Sequence, residues 1–109
     1  MAVYNSAEYL PEAIDSILNQ SFQDFELLAV DDGSSDGSGD ILAQYEKQDS
    51  RIRVLRQENS GVAASRNNAF RHAKGKYIAL MDSDDVSLPD RLAKQVAFLE
   101  SNPEIGFCG

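Results

Sequence analysis

The chain has 109 residues, a formal net charge of −8 and a calculated isoelectric point near 4.4. This length suits one domain or part of one, and a hydrophobic fraction of 42% permits a packed core and argues against disorder. The acidic balance argues against nucleic acid as a partner, because binding to its backbone needs a cationic surface, and neither a membrane-spanning stretch nor a signal peptide is predicted.

Strand-like and helix-like segments alternate along the chain. Short apolar runs predict strands at residues 1–4, 25–30, 52–55, 77–81 and 105–108. Apolar residues at helical spacing predict helices around residues 10–18, 41–45, 62–73 and 88–99. The alternation predicts an α/β fold with helices flanking a mainly parallel sheet. We expect one domain over residues 1–109, with a sheet that is truncated at both ends.

Acidic residues follow two of the predicted strands. Asp82-Ser83-Asp84-Asp85 comes directly after the run 77–81, and Asp31-Asp32 comes after the run 25–30. Crowded carboxylates repel one another, so a cation is expected among them. Their hard oxygens suit Mg²⁺, Mn²⁺ or Ca²⁺ carrying a phosphorylated ligand. The ends of parallel strands meet at one edge of a sheet, and the pattern therefore predicts a ligand site along that edge.

Two other interpretations of the acidic cluster stay open at this point. One is a solvated acidic turn that caps the following helix. The other is a phosphatase of the haloacid-dehalogenase type, in which Asp82 attacks phosphorus and Asp84 acts as acid and base. That family usually opens its core with this motif, whereas here the motif follows about the fourth strand.

The loops between these elements give weaker signals. The Gly/Ser/Asp-rich segment 31–38 predicts a turn and a helix N-cap from Asp36 or Ser38. An EF-hand beginning at Asp32 is excluded, because its twelfth position is Ala43 and not a bidentate carboxylate. Gly61 opens the third helix, whose free amides favour an anion. The one cysteine, Cys108, is expected to be a buried structural thiol.

Taken together, several segments carry a family resemblance. They are Ala2-Val3-Tyr4-Asn5, Ile14-Asp15-Ser16-Ile17-Leu18-Asn19-Gln20-Ser21-Phe22, Val30-Asp31-Asp32-Gly33-Ser34-Ser35-Asp36-Gly37-Ser38, Asn59-Ser60-Gly61, Ser65-Arg66-Asn67, Ala73-Lys74-Gly75-Lys76-Tyr77-Ile78, Met81-Asp82-Ser83-Asp84-Asp85 and Pro89-Asp90-Arg91-Leu92. In order and spacing they resemble the family 2 glycosyltransferases, inverting enzymes with the Rossmann-like GT-A fold. On this resemblance the chain is the N-terminal, donor-binding portion of such an enzyme.

The resemblance implies transfer of a sugar from a nucleotide diphosphate donor, most often a UDP-sugar, to an acceptor hydroxyl with inversion. The donor-binding residues that it implies are Ala2, Tyr4, Asn5, Asp31, Asp32, Gly61, Arg66, Asp82 and Ser83. Tyr4 is expected to lie against the base and Asp32 to accept a hydrogen bond from the uracil imide. Asp84, with Asp82, is expected to hold Mn²⁺ or Mg²⁺ between the two phosphates.

The chain departs from the family pattern at Ala2, where proline is usual, and at Ala69, where glycine is common. The family's catalytic base is expected beyond residue 109, so no residue here is predicted to be that base. The resemblance implies a glycan or lipid-linked sugar as acceptor and a cytoplasmic location at the inner face of the membrane. With sheet edges exposed, the isolated chain is expected to be marginally stable or to self-associate.

Overall fold

The structure is a computed structural model and describes residues 1–103. Its elements are β1 (Ala2–Val3), α1 (Leu10–Leu18), β2 (Leu27–Asp31), α2 (Ser38–Gln48), β3 (Ile52–Arg56), α3 (Val62–His72) and α4 (Arg91–Ser101). The predicted alternation of strands and helices is thereby confirmed for these elements. The predicted strand at residues 105–108, with Cys108, lies outside the described residues.

The three strands form a parallel sheet in the order β1-β2-β3. Ala2 is in register with Val30, and Leu27 is in register with Ile52. Parallel neighbours need a crossover connection, and α1 and α2 supply the two crossovers. All five residues of the central strand β2 are buried, as expected for a strand covered on both faces. The predicted α/β class with a parallel sheet is confirmed.

The core lies between this sheet and the first two helices. Leu10, Ala13, Ile14 and Ile17 fall on one face of α1, at the spacing of an amphipathic helix, and all are buried. Pro11 stands in the first turn, where its missing N–H breaks no helical hydrogen bond. Leu42 of α2 packs in the same cluster. Helix α3 packs against β1 and β2.

The prediction of a buried strand at residues 77–81 is wrong for the described structure. Ile78 and Leu80 are 56% and 48% exposed, and the segment joins the sheet only through a single parallel bridge between Ala2 and Asp82. A parallel strand needs a hydrogen-bonded ladder with a neighbouring backbone, and within the described residues this bridge is the one pairing recorded for the segment.

Helix α4 begins later than its apolar stripe predicted. Asp90 is its N-cap, so Leu88 precedes the helix and is 78% exposed, whereas Leu99 is buried. Gln20, which follows the end of α1, holds the start of α4 in place. The amide of buried Gln20 donates to Leu88 O at 2.7 Å and accepts from Leu92 N at 3.0 Å. The turn that follows Asp82 is therefore fixed to the core at its far end.

The loop between β2 and α2 differs in one detail from its prediction. The N-cap is Gly37, in the left-handed region at φ 96°, and not Asp36 or Ser38. Asp36 still satisfies the helix end, because its Oδ1 accepts from Ser38 N at 3.0 Å and from Ser38 Oγ at 2.6 Å. Its other oxygen accepts from Ala7 N at 3.1 Å, which ties the loop to the segment after β1.

None of the helices within residues 1–103 combines the length and the apolar character that crossing a bilayer requires.

Candidate functional site

A cleft of about 510 Å³ opens where the ends of the strands meet. Tyr4 follows β1, Asp32 follows β2, Arg66 comes from α3, and Asp82 and Asp84 come from the acidic turn. The predicted convergence of the two acidic segments at one edge is confirmed, because Asp32 and Asp84 line the same cleft. The remaining wall residues are Ala2, Val3, Ser6, Val62, Ser65 and Ser83.

Hydrogen bonds join the end of β1 to the acidic turn. The hydroxyls of Ser6 and Ser83 are 2.7 Å apart, and Ser6 Oγ donates to Tyr4 O at 3.2 Å. Ser83 is buried, whereas Tyr4, on the cleft wall, is 52% exposed. No sequence pattern points to Ser6, because its partner Ser83 is 77 positions away along the chain.

Asp32 is a buried carboxylate that protein donors surround. Its Oδ1 accepts from Gln57 Nε2 at 2.9 Å and Ser60 N at 2.7 Å, and its Oδ2 accepts from Gly61 N at 3.0 Å. Asn59 Nδ2 adds a longer contact to Oδ2 at 3.4 Å. Burial by itself raises the pKa of Asp32, but the bonds from Gln57, Ser60 and Gly61 outweigh it and hold the pKa below its usual value. The group is therefore an oriented anion.

A second layer of hydrogen bonds fixes the donors of Asp32. Gln57 Nε2 also reaches Ser65 Oγ at 3.3 Å, and Gln57 Oε1 accepts from Asn68 Nδ2 at 3.0 Å. Ser65 Oγ donates to Gly61 O at 2.9 Å. Gln57 was not among the predicted site residues, although its place in the sequence carries a signal. Gln57 directly follows β3, so it lies at the same edge of the sheet as Asp32, which follows β2.

The acidic turn brings three exposed carboxylates together. One oxygen from each of Asp82, Asp84 and Asp85 lies within 4.8 Å of the others. Such a set of hard oxygen donors fits Mn²⁺ or Mg²⁺. Arg66 Nη2 lies 3.2 Å from Asp82 Oδ1, and the two side chains are 40% and 58% exposed, so this ion pair is worth little by itself. Its position places a guanidinium at the rim of the carboxylate cluster.

Three of the predicted donor-binding residues do not line this cleft. Asn5, at φ 48°, accepts from Ser35 N at 2.8 Å, and buried Asp31 accepts from Ser34 N at 3.0 Å. Both residues hold the loop after β2 in shape. Gly61 lies behind Asp32 and donates its N–H to that carboxylate. The other six, Ala2, Tyr4, Asp32, Arg66, Asp82 and Ser83, are on the cleft wall together with Asp84.

A larger cleft of about 750 Å³ adjoins the first and shares Arg66 and Asp82 with it. Its other walls include exposed Leu80 and Leu88 and the cationic Arg91. Arg91 Nη2 donates to Leu80 O at 2.7 Å and thereby ties α4 to the segment before the acidic turn.

Comparison with known proteins identifies the family. The sequence model of glycosyl transferase family 2 matches residues 1–109. The chain belongs to this family. The resemblance seen in the motifs is confirmed, and the phosphatase interpretation is set aside.

Relatives in the family are considerably longer. TuaG, a glycosyltransferase assigned to teichuronic acid biosynthesis in Bacillus subtilis, is 47% identical over 97 residues, which are 88% of this chain and 38% of TuaG. The glycosyltransferase GlyG of Streptococcus pneumoniae is 43% identical over 108 residues, which are 95% of this chain and 36% of GlyG. The chain thus spans less than two fifths of these relatives.

Solved glycosyltransferase structures share the fold. TarS of Staphylococcus aureus in complex with UDP-GlcNAc superposes with a TM-score of 0.87 at 31% identity, covering 94% of this chain and 30% of that one. The mannosyltransferase PcManGT of Pyrobaculum calidifontis, in complex with GDP-Man and Mn²⁺, gives a TM-score of 0.83 at 28% identity, covering 90% of this chain and 30% of that one. The predicted GT-A architecture is confirmed by these structures.

Proposed function

We propose that residues 1–109 hold the nucleotide part of a UDP-sugar in the cleft between Tyr4 and Asp84, and that the protein transfers the sugar to an acceptor hydroxyl with inversion. The observation that carries the proposal is the placement of Asp32, Arg66, Asp82 and Asp84 on the wall of one cleft. It is supported by similarity to glycosyltransferases that bind UDP-GlcNAc or GDP-Man.

The base end of this cleft is formed by Tyr4 and Asp32. The half-exposed Tyr4 ring offers a face against which a nucleobase stacks. Asp32 is an acceptor, and both uracil and guanine carry a ring N–H that donates to such a group. Its Oδ2 has the weakest existing contact, the 3.4 Å approach of Asn59 Nδ2. A base N–H is expected to donate at this oxygen, displacing the Asn59 contact.

The diphosphate end is formed by the acidic turn. Asp82 and Asp84 would hold Mn²⁺ or Mg²⁺, and Asp85 supplies a third carboxylate within reach. A bound divalent ion neutralises the charge that develops on a leaving nucleoside diphosphate. Arg66 adds a fixed positive charge at the same place, and its pairing with Asp82 Oδ1 orients that carboxylate.

The catalytic base is proposed to lie outside residues 1–109. Inverting transfer needs a base beside the acceptor hydroxyl, opposite the leaving diphosphate. The carboxylates of the acidic turn lie on the leaving-group side, and Asp32 is bound to Gln57, Ser60 and Gly61. We propose a glycan or lipid-linked sugar as the acceptor and a cytoplasmic location at the inner face of the membrane.

Titration calorimetry with UDP, in Mn²⁺ and in chelator, tests the proposal. UDP is expected to bind well only with the metal, because three carboxylates otherwise repel a diphosphate. Equal affinity for UDP in chelator would show that binding does not depend on a metal. No affinity for UDP or GDP under either condition would refute the proposed function.

A further inference from the structure

We infer that Gln57 is a positioning residue that orients Asp32 as a hydrogen-bond acceptor toward the cleft, so that the site selects bases with a ring N–H over bases without one. Uracil and guanine are then favoured over cytosine and adenine. The inference rests on the proposed function and adds to it the residue that sets base selectivity.

The geometry divides the network into a part that faces the cleft and a part behind it. Asp32 lines the cleft, whereas Gln57, Asn59, Ser60 and Gly61 do not. Asp32 is therefore the member of the network that meets a ligand in the cleft, and the long Asn59 contact at Oδ2 is the one that a base N–H would replace. Gln57 is the side chain with the shortest contact to the carboxylate, at 2.9 Å from Oδ1.

The Gln57 amide is held in one orientation. Its nitrogen contacts the Asp32 carboxylate and Ser65 Oγ, and its oxygen accepts from Asn68 Nδ2 at 3.0 Å. A flipped amide would place its oxygen against the carboxylate and its NH₂ against the NH₂ of Asn68. Both contacts would then be repulsive, so the network keeps the NH₂ group of Gln57, and not its oxygen, against the Asp32 carboxylate.

The bonds from Gln57, Ser60 and Gly61 favour the ionised form of Asp32 and hold its pKa below the usual value. An ionised carboxylate accepts from a base N–H and repels the unprotonated ring nitrogen that cytosine and adenine present at the same place. The selectivity therefore depends on Asp32 keeping its charge and its orientation.

Other charged or titratable side chains lie around this network, and among the described residues none of them contacts the Asp32 carboxylate. They are Tyr4, Arg66, Asp82 and Asp84 on the cleft wall, Asp31 beside Asp32, and Arg56 and Glu58 beside Gln57. Asp31 accepts from Ser34 N, and Arg56 donates to Gly39 O at 3.3 Å, so both are directed elsewhere.

The Gln57→Glu variant tests the inference in the full-length protein. The new carboxyl group, if protonated, donates to Asp32 as glutamine does; once ionised, it repels Asp32. Two carboxyls this close share one proton, and the loss of that proton moves to a higher pH than for an isolated carboxyl. The ratio of UDP affinity in the variant to that in the parent protein is expected to fall about tenfold between about pH 5 and pH 8, measured in Mn²⁺.

Gln44→Glu, at an exposed position of α2, adds the same charge away from the cleft and serves as the matched control. Its affinity ratio is expected to stay constant with pH. A ratio for Gln57→Glu that is equally constant, whether lowered or not, would overturn the inference. If the parent protein binds neither UDP nor GDP, the proposed function fails together with the inference; if it binds UDP and only the pH effect is missing, the inference alone fails.

Gln57→Leu keeps the test decisive if the charged variant does not fold. It removes the donor without adding charge, and the preference for UDP over CDP is expected to fall about tenfold while binding still requires Mn²⁺. Urea unfolding confirms that the variant is folded. Full retention of the UDP preference in folded Gln57→Leu protein would overturn the inference.

Discussion

Ala2 pairs with Asp82 in a parallel bridge, which places the acidic turn beside the end of β1. On the other side of β1, Asp32 N donates to Val3 O at 2.8 Å. Strand β1 therefore lies between the two acidic segments and fixes their distance. The cleft exists because a strand of two residues holds a carboxylate segment on each side.

Replacement of Asp84 tests the metal end of the cleft. Asp84→Asn keeps the size of the side chain but removes the charge that a divalent ion needs, and UDP binding in Mn²⁺ is expected to weaken at least tenfold. Asp24→Asn makes the same change at an exposed loop position and is the control. Near-normal sugar transfer by full-length Asp84→Asn protein would contradict the assignment.

Replacement of Asp32 tests the base end. Asp32→Ala is expected to reduce the preference for UDP over CDP more than it reduces Mn²⁺ binding, since the metal cluster lies in a different part of the cleft. It also leaves the amides of Ser60 and Gly61 without their acceptor, so a loss of about 1–3 kcal/mol in the free energy of unfolding is expected. An unchanged preference for UDP over CDP in the variant would show that Asp32 does not contact the base.

The stability of the fold is expected to fall in acid. The side-chain hydrogen bond from Arg51 lowers the pKa of Asp49 to about 2, below the value of about 3.9 expected in the unfolded chain. A lowered folded pKa contributes stability that is present above the unfolded pKa and is lost as the pH falls through the folded one. Urea unfolding from about pH 5 to about pH 2 should show this loss. Asp49→Asn should make the free energy of unfolding depend less steeply on pH. An equally steep dependence in that variant would show that the Asp49–Arg51 pair is not the cause.

Replacement of Gln20 tests how the acidic turn is fixed to the core. Gln20→Ala removes the bonds to Leu88 O and Leu92 N from a buried position, and a loss of about 1–3 kcal/mol is expected. Hydrogen exchange at Leu92 N should quicken by more than the global change. Gln44→Ala, on the surface of α2, should change neither quantity. Unaltered exchange at Leu92 would show that the turn is held by other contacts.

Residues 1–109 alone are expected not to transfer sugar, whereas the full-length protein is expected to do so. The reason is the position of the carboxylates, which line the cleft at its proposed diphosphate and base ends, with none proposed for the acceptor side. A radiolabelled donor assay on both lengths of chain compares them. Sustained transfer by the shorter chain would place a base within these residues.

The site residues were predictable to the extent that they follow strands. Asp32 was predicted because an acidic group after an apolar run marks the end of a parallel strand, where ligands bind, and Asp82 was predicted by the same rule although the run before it forms only a bridge to Ala2. The same rule applied to β3 points to Gln57, which went unnoticed because an amide carries no charge. Asn5 and Asp31 form hydrogen bonds with Ser34 and Ser35, and their contact with the donor stays a prediction.

The alternation of elements and the buried face of α1 follow from local sequence patterns, because helical and strand periods repeat every few residues. Tertiary packing determined that residues 77–81 do not form a strand, since pairing depends on which backbone lies alongside. It also decided the contacts of Ser6 with Ser83 and of Gln57 with Asp32, which join residues 77 and 25 positions apart. Such contacts are set by the packing of α3 and the acidic turn against β1 and β2, and no local pattern encodes that packing.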